Sequence, residues 1–326
     1  MRGKTALFFV LAVSISLLLS SCSSLVLFGK GQQKEIAVTE ESLRTGTDSL
    51  VMSFYKDTPP QKVHVNQAIP LALVLSNKGA SDIKNGRVIL SYEGAFLENI
   101  NEPWQKYNVP ISSAGDFFTF DLEGKSINNP QGETQVYSKN FEAKSIGENR
   151  QSIDVSFTAY ACYDYETKKS IPICIDPIKY QETSKPCQIQ ALTLDSQGGP
   201  LAITKVEPEL VSKGNGYELS VKIYLQNKGK GLLYKKGGTD EACKGKAKWN
   251  ILEEGDFDLR LGSDEQNNFK CSPFPIDISE KDSFIKCIYN PTITETQPYT
   301  TTLFVDITYG YKSQGISAQT TILRKI

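Results

Sequence analysis

One histidine, His64, is all that the 326 residues contain, so zinc centres and histidine dyads that need two or three imidazoles cannot be assembled within one chain. Runs of lysine or arginine are absent too: 36 basic side chains stand against 37 acidic ones, for a formal charge of -1. That balance lacks the electrostatic footprint of a protein that grips phosphate backbones, and nucleic acid is not an expected partner. There is no GxSxG elbow, no P-loop and no dinucleotide fingerprint, so the sequence offers no cofactor site and no nucleophile motif. Zinc-like CxxC spacing is missing, which leaves no metal site to expect. Helical periodicity is nearly absent beyond the first thirty residues, and no second apolar run of spanning length follows them. What remains, 39% hydrophobic and 22% charged, is the composition of a folded chain long enough for two domains.

The first thirty residues carry an address. Arg2 and Lys4 precede an apolar run from Ala6 to Leu19, the order of an export signal. Leu19-Ser20-Ser21-Cys22 then resembles the lipobox of secreted lipoproteins: the signal peptide with its lipobox-like end covers residues 1–22, and loss of residues 1 to 21 would leave Cys22 as the lipid-attachment residue at the new N-terminus. The alternative is an uncleaved signal anchor extending to Phe28, because at roughly 1.5 Å per residue the stretch from Ala6 spans the ~30 Å hydrocarbon core. Both readings tether the N-terminus to the membrane and place the rest on the outer face of the cytoplasmic membrane, in the cell envelope. Residues 23–47, mostly polar, are expected to act as a spacer.

Apart from Cys22 there are six cysteines, an even number in a compartment where disulfides persist. From Ile153 to Tyr165 the odd positions are apolar or aromatic, the period-two pattern of a strand with one buried face. A turn over Glu166–Ser170 and a returning strand over Ile171–Asp176 would pair Tyr165 with Ile171 and set Cys162 opposite Cys174, at disulfide distance. Pro172 would confine the returning strand to an edge. Three pairings remain for the other four cysteines. Cys187 with Cys287 and Cys243 with Cys271 is preferred, since it would staple the connecting segment to the second domain.

Sliding the chain against itself gives an offset of 150. Leu71 to Gly79 lies over Val221 to Gly229, both ending in Asn-Lys-Gly, and Ile153, Val155 and Phe157 lie over Leu303, Val305 and Ile307. The expectation is an all-β protein of two tandem Ig-like β-sandwich domains, residues 48–180 and 198–326, joined by a connecting segment, 181–197. Further strands are expected over Gly86–Tyr92, Asp116–Leu122, Thr134–Phe141, Asp256–Leu261, Phe284–Tyr289 and Tyr299–Tyr311, and glycine in each Asn-Lys-Gly turn is expected to supply a positive φ.

Arg44-Thr45-Gly46-Thr47 leading into Leu50–Phe54, Pro59-Pro60, the Asn77-Lys78-Gly79 turn, Ala161–Tyr165 and Cys174–Pro177 together resemble uncharacterised envelope proteins of small-genome archaea. Their modules are similar in turn to the CARDB class of Ig-like domains, found in cell-surface and adhesion proteins. The resemblance covers most of residues 44 to 312. It implies fold and location, and that family has no catalytic motif to transfer.

Candidate chemistry is sparse. His64 falls on the face of its strand opposite Val63 and Val65, as a surface residue would. The acidic stretch Glu253–Asp258 lacks the spacing of a calcium loop and is expected to be a solvated loop entering a strand. Tyr163, Tyr165, Tyr309 and Tyr311 fall on apolar faces, while Tyr160 points outward. Trp104 and Tyr107 sit in a polar loop that no strand pattern buries and form the candidate binding loop. The functional expectation is a tethered, non-enzymatic binding, adhesion or envelope-scaffold protein whose partner is an extracellular protein or glycan. A carboxylate-based carbohydrate hydrolase and a subunit of a surface filament or layer are the alternatives.

Overall fold

Alternation decides the architecture. Ile69, Leu71, Leu73 and Leu75 are buried while the residues between them are exposed or half-exposed, because successive side chains leave opposite faces of a pleated strand. The same pattern recurs along most of the chain in this computed structural model, which describes residues 39–324 apart from Asn101, Ser112, Gly115, residues 179–183 and Lys281. The expected signal peptide, Cys22 and the alternative anchor therefore lie outside the described residues. Among the described residues no helix is long and apolar enough to cross a membrane.

In chain order the elements that position the site are α1 (Glu40–Leu43), β1 (Leu50–Phe54), β2 (Ala68–Asn77), β3 (Ile83–Tyr92), β4 (Gln105–Lys106), β5 (Val109–Pro110), β6 (Phe117–Leu122), β7 (Thr134–Ala143) and β8 (Ser152–Ile175). Then come β9 (Leu201–Lys213), β10 (Gly216–Asn227), β11 (Leu232–Tyr234), α2 (Thr239–Cys243), β12 (Phe257–Leu261), β13 (Phe269–Ser272), β14 (Phe284–Tyr289), β15 (Tyr299–Lys312) and β16 (Ile316–Leu323). One sheet has the order β1-β2-β7-β4-β5 and belongs to the first half of the chain; another, β9-β10-β14-β13, belongs to the second. Between them in composition is a nine-stranded sheet, β11-β15-β8-β3-β6 with β12, β16 and the short strands Lys62–His64 and Ser113–Ala114 added, which draws on both halves.

The junction of the halves is a ladder. β8 is one strand of 24 residues, and no turn interrupts it at Glu166–Ser170. The expected hairpin fails because the odd-position pattern stays in phase straight through: Thr167 takes an inward position and is satisfied there, donating to Leu201 O at 2.9 Å with its hydroxyl 3.0 Å from Tyr309 Oη. Glu166, Lys168 and Lys169 need not leave the sheet, and Lys169 pairs with Glu41 of α1 at 2.5 Å. From Cys162 to Ile175, β8 pairs antiparallel with Lys312 to Tyr299 of β15; from Ser152 to Ala159 it pairs with Leu323 to Ile316 of β16. Two residues of β8 face three of the other chain segment between those ladders, which is a β-bulge, closed by Ser313 N–H to Ala161 O at 2.8 Å. Pro172 falls where β8 is paired on one side only, as a residue without an N–H requires.

An unbroken β8 also overturns the expected disulfides. Cys162 and Cys174 are twelve residues apart on one strand, about 40 Å at about 3.3 Å per residue, and cannot meet. The bonds are instead Cys162–Cys243, Cys174–Cys187 and Cys271–Cys287. Cys271 and Cys287 are direct cross-strand neighbours on β13 and β14, and Cys174–Cys187 closes a short loop after β8. Cys162–Cys243 fastens α2 onto the outer face of the shared sheet, where Tyr160 Oη donates to Cys243 O at 2.9 Å and the Lys312 amine lies 4.3 Å from the Tyr160 ring. Tyr160 thus serves as an anchor for this flap and does not stand free. Three disulfides fit an oxidising, extracytoplasmic compartment.

Residues Val38–Ile326 form one compact unit with a hydrophobic core that continues from Leu50 to Ile322, so the expected boundary at 181–197 does not separate two bodies. A repeat is nonetheless built into the hydrogen bonding. Asn77 donates to Ser81 O at 2.8 Å and accepts the Gly79 N–H at 3.1 Å; Asn227 donates to Gly231 O at 2.9 Å and accepts the Gly229 N–H at 3.1 Å. Tyr165 Oη accepts the Ser81 N–H, as Tyr311 Oη accepts that of Gly231. The equivalent tyrosines are 146 residues apart, not 150, so the downstream strands are related at a different offset from the turns. Neither turn glycine has a positive φ. A Cβ on Gly79 would lie 1.8 Å from Tyr165 Oη, and one on Gly229 would lie 2.1 Å from Tyr311 Oη: glycine is required for close approach.

Candidate functional site

Along β7 the inward positions are Gln135, Tyr137, Lys139, Phe141 and Ala143. Three of the five are polar, and they are only 3%, 2% and 7% exposed. Buried polar groups are costly unless satisfied, and each here has a partner. Tyr137 donates to Gln135 Oε1, Gln135 donates to Glu133 Oε1, and Glu133 Oε2 accepts the Glu123 N–H at 2.9 Å. Lys139 donates to Glu102 O at 2.8 Å. Burial pulls the Lys139 amine below its usual range, against the opposing charges of Asp116 and Glu102. Burial, then the charges of Glu133 and Asp121, push the Tyr137 phenol far above its usual range, so it stays a donor.

Gln135 and Tyr137 open into a cavity of about 580 Å³ between β3, β6 and β7. The wall from β3 is shaped by a bulge: pairing with β6 skips from Ile83 opposite Leu122 to Gly86 opposite Phe120. Two successive residues, Lys84 and Asn85, are thereby exposed. Asn85 takes a φ of 54° and its N–H donates to Asp121 Oδ1 at 2.6 Å. Gly86 lets the Phe120 ring sit where a Cβ would be. Asp82 Oδ1 accepts the Gly124 N–H at 2.9 Å. Main-chain donors therefore fix one oxygen each of Asp82 and Asp121.

The expected Trp104–Tyr107 loop closes one end of this groove, in a different role from the one anticipated. Trp104 is fully buried: its ring lies 4.6 Å from Phe118, which stacks at 4.5 Å on Tyr137, so it buttresses the groove floor from behind. Its Nε1 has no hydrogen-bond partner among the described residues. A residue just ahead of a strand can fold under it, and that is what removes Trp104 from the surface. Tyr107, 59% exposed, occupies the two-residue turn of the β4–β5 hairpin with Asn108, both at positive φ (49° and 66°), and donates to Thr134 O at 2.9 Å. Lys106 and Ile111 of the same hairpin segment line the groove.

A second groove of about 570 Å³ shares Asp82, Lys84 and Asn85 with the first and adds Arg44, Asp164, Glu166 and Lys236. Burial raises the Asp164 carboxyl above its ordinary range, with the Gly237 N–H and Lys236 pulling it back. Both Asp164 oxygens accept that N–H at 3.1 Å and so hold the chain ahead of α2. Elsewhere, His64 is exposed, and Glu254–Asp256 is a 3-10 turn capped by Glu253, whose N–H donates to Asp256 Oδ2 at 2.8 Å. Among the described residues no group of three histidine, cysteine or acidic side chains is placed to hold a metal ion.

No family model and no curated protein matches the chain. Among solved structures it has a distant likeness to a DUF4466 family protein from Parabacteroides merdae, at 11% identity, covering 82% of this chain and 100% of that one, with a TM-score of 0.18. A likeness of that degree carries no argument about fold or function.

Proposed function

We propose that this is a membrane-tethered extracytoplasmic binding protein, built from two Ig-like sandwich modules fused through a shared sheet, that acts by holding a ligand or partner in the cell envelope and not by turning one over. The observation that carries the reading is the polar groove: three consecutive inward positions of β7 are buried polar residues where a strand of the core would ordinarily be apolar. Such departures from pattern are kept where they serve a function. The three disulfides support the compartment, and the lipobox-like Leu19–Cys22 supports the tether. Fusion of the halves through β8, β15 and β16 suits a rigid spacer or scaffold.

The test is cross-linking on intact cells followed by membrane fractionation. The expected result is a membrane-associated chain, open to external protease and cross-linked to an envelope component. A chain shielded from protease in the cytoplasm overturns the reading. Hydrolysis has one observation in its favour, since Asp164, with its raised pKa, shares a groove with Asp82 and Glu166. Its carboxylate is already committed to the Gly237 N–H, which fits a structural post better than a proton donor. Release of reducing sugar by the purified chain, lost in Asp164→Asn, would establish the hydrolase instead.

A further inference from the structure

We propose that the groove between β3, β6 and β7 is a saccharide site that takes a neutral hydroxylated sugar chain, with Gln135 and Tyr137 at its floor and Asp82 and Asp121 at its rim. The inference rests on the binding reading above and names the ligand class.

Hydrogen-bonding capacity points to a ligand dense in hydroxyls. A primary amide offers two N–H donors and an oxygen with two lone pairs. Gln135 uses one donor on Glu133 and accepts from Tyr137, leaving the remainder with no partner among the described residues although the residue is buried against the cavity. Tyr137 donates its proton, and its oxygen retains the capacity to accept. At the rim, Asp82 and Asp121 each have one oxygen held by a backbone N–H, which fixes the carboxylate and lowers the entropic cost of a hydrogen bond to its second oxygen. Fixed carboxylate oxygens beside an amide match adjacent sugar hydroxyls, which both donate and accept. Phe120, Ile83 and Ile111 supply apolar wall for the C–H faces of a sugar ring.

Charge narrows the class. Asp82, Asp121, Glu123 and Glu133 face two lysines, Lys84 and Lys106, so the lining is net negative. Phosphate polymers and uronate chains are disfavoured there. The volume falls within the usual range for small-ligand sites, about 300–1,000 Å³.

The experiment uses the full chain in a detergent without a sugar headgroup, carrying Trp249→Phe so that Trp104, two rings behind Tyr137, reports alone. Probes are oligomers of glucose, mannose and N-acetylglucosamine, oligogalacturonate, and a lysine-rich peptide, followed by calorimetry and by Trp104 emission. A neutral oligosaccharide is expected to bind and shift the emission. Asp121→Asn, which keeps an acceptor for the Asn85 N–H, is expected to weaken binding about tenfold, and Gln135→Leu to weaken it further. Asp121 is exposed, and an unchanged circular dichroism spectrum and melting temperature of its variant, the expected result, separate loss of binding from unfolding. The proposal is overturned by three outcomes: no neutral saccharide bound up to about 10 mM, as for a groove that holds water only; binding unchanged in both variants; or binding of oligogalacturonate or peptide alone. A chain that still cross-links to the envelope while failing here would overturn the saccharide assignment and leave the binding reading standing.

Discussion

Tyr165→Phe removes one hydroxyl and keeps the ring, at the point where the two halves meet. That hydroxyl is buried; it accepts the Ser81 N–H at 3.1 Å and donates to Gly198 O at 3.0 Å. Gly198 O keeps a second donor, the Ala80 N–H at 2.8 Å, so its loss is partial. Ser81 N–H is left without a partner in a buried site, and the cost of such an orphan is about 1–3 kcal/mol. We expect a loss of about 2 kcal/mol. Urea unfolding measures it with two probes, Trp104 in the first half and Trp249 in the second, isolated by Trp249→Phe and Trp104→Phe backgrounds. Because β8, β15 and β16 tie both halves into one ladder, the two probes should give coincident transitions. The midpoint should fall equally in both, with the slope unchanged. Separate transitions, or a shift seen by one probe alone, would refute a single cooperative unit; a loss under about 0.5 kcal/mol would refute the role given to the hydroxyl.

Gly79→Ala should cost about 3 kcal/mol or more, because the new methyl would meet Tyr165 Oη at 1.8 Å, Gly198 O at 2.7 Å and Asp48 O at 2.9 Å. Gly94→Ala, with nothing within 4 Å, should be neutral or slightly stabilising; thermal melts of the two distinguish close approach from a general dislike of glycine replacement. At alkaline pH, burial raises the phenols of Tyr163, Tyr165 and Tyr309 above their usual value, so the folded chain holds those protons more tightly than the unfolded one. Their contribution to stability is complete below pH 10 and is lost as pH rises towards the folded values. Absorbance at 295 nm should therefore show these phenols ionising together with the loss of the strand signal in circular dichroism, and complete ionisation with that signal intact would contradict the burial.

The strands were legible because alternation is a local property. Expected spans such as Phe284–Tyr289 and Tyr299–Tyr311 correspond to β14 and β15 within a residue. Pairing was not legible to the same degree. At Glu166–Ser170 a cluster of charged residues looks like a turn, but charge excludes a residue only from the inward face, and Glu166, Lys168 and Ser170 occupy outward positions of β8. Thr167, the one inward residue of that group beside the half-exposed Lys169, is small enough to be satisfied by Tyr309 and Leu201 from the second half. Nothing within the segment announces those partners, which are supplied more than thirty residues away. The disulfide assignment followed the turn, and failed with it.

The groove had a signal of its own in the sequence, in the phase of a single strand. Tyr137 and Phe141 share a face of β7, so a period-two reading puts Gln135 and Lys139 on that face as well. Two polar residues in register with two aromatics mark either a wrong phase or a buried polar row. The structure selects the second, with Gln135 and Tyr137 hydrogen-bonded to each other. Trp104 misled for the opposite reason: it lies outside any alternating run, and only the rings of Phe118 and Tyr137, brought from two other strands, decide that it faces inward. The row on β7 and the ring stack behind it form one construction, since the aromatics hold the Tyr137 phenol at the cavity wall and the polar chain fixes its hydrogen. That closely determined floor, with polar groups at the cavity wall, is what the proposed binding of a polar ligand of defined shape requires.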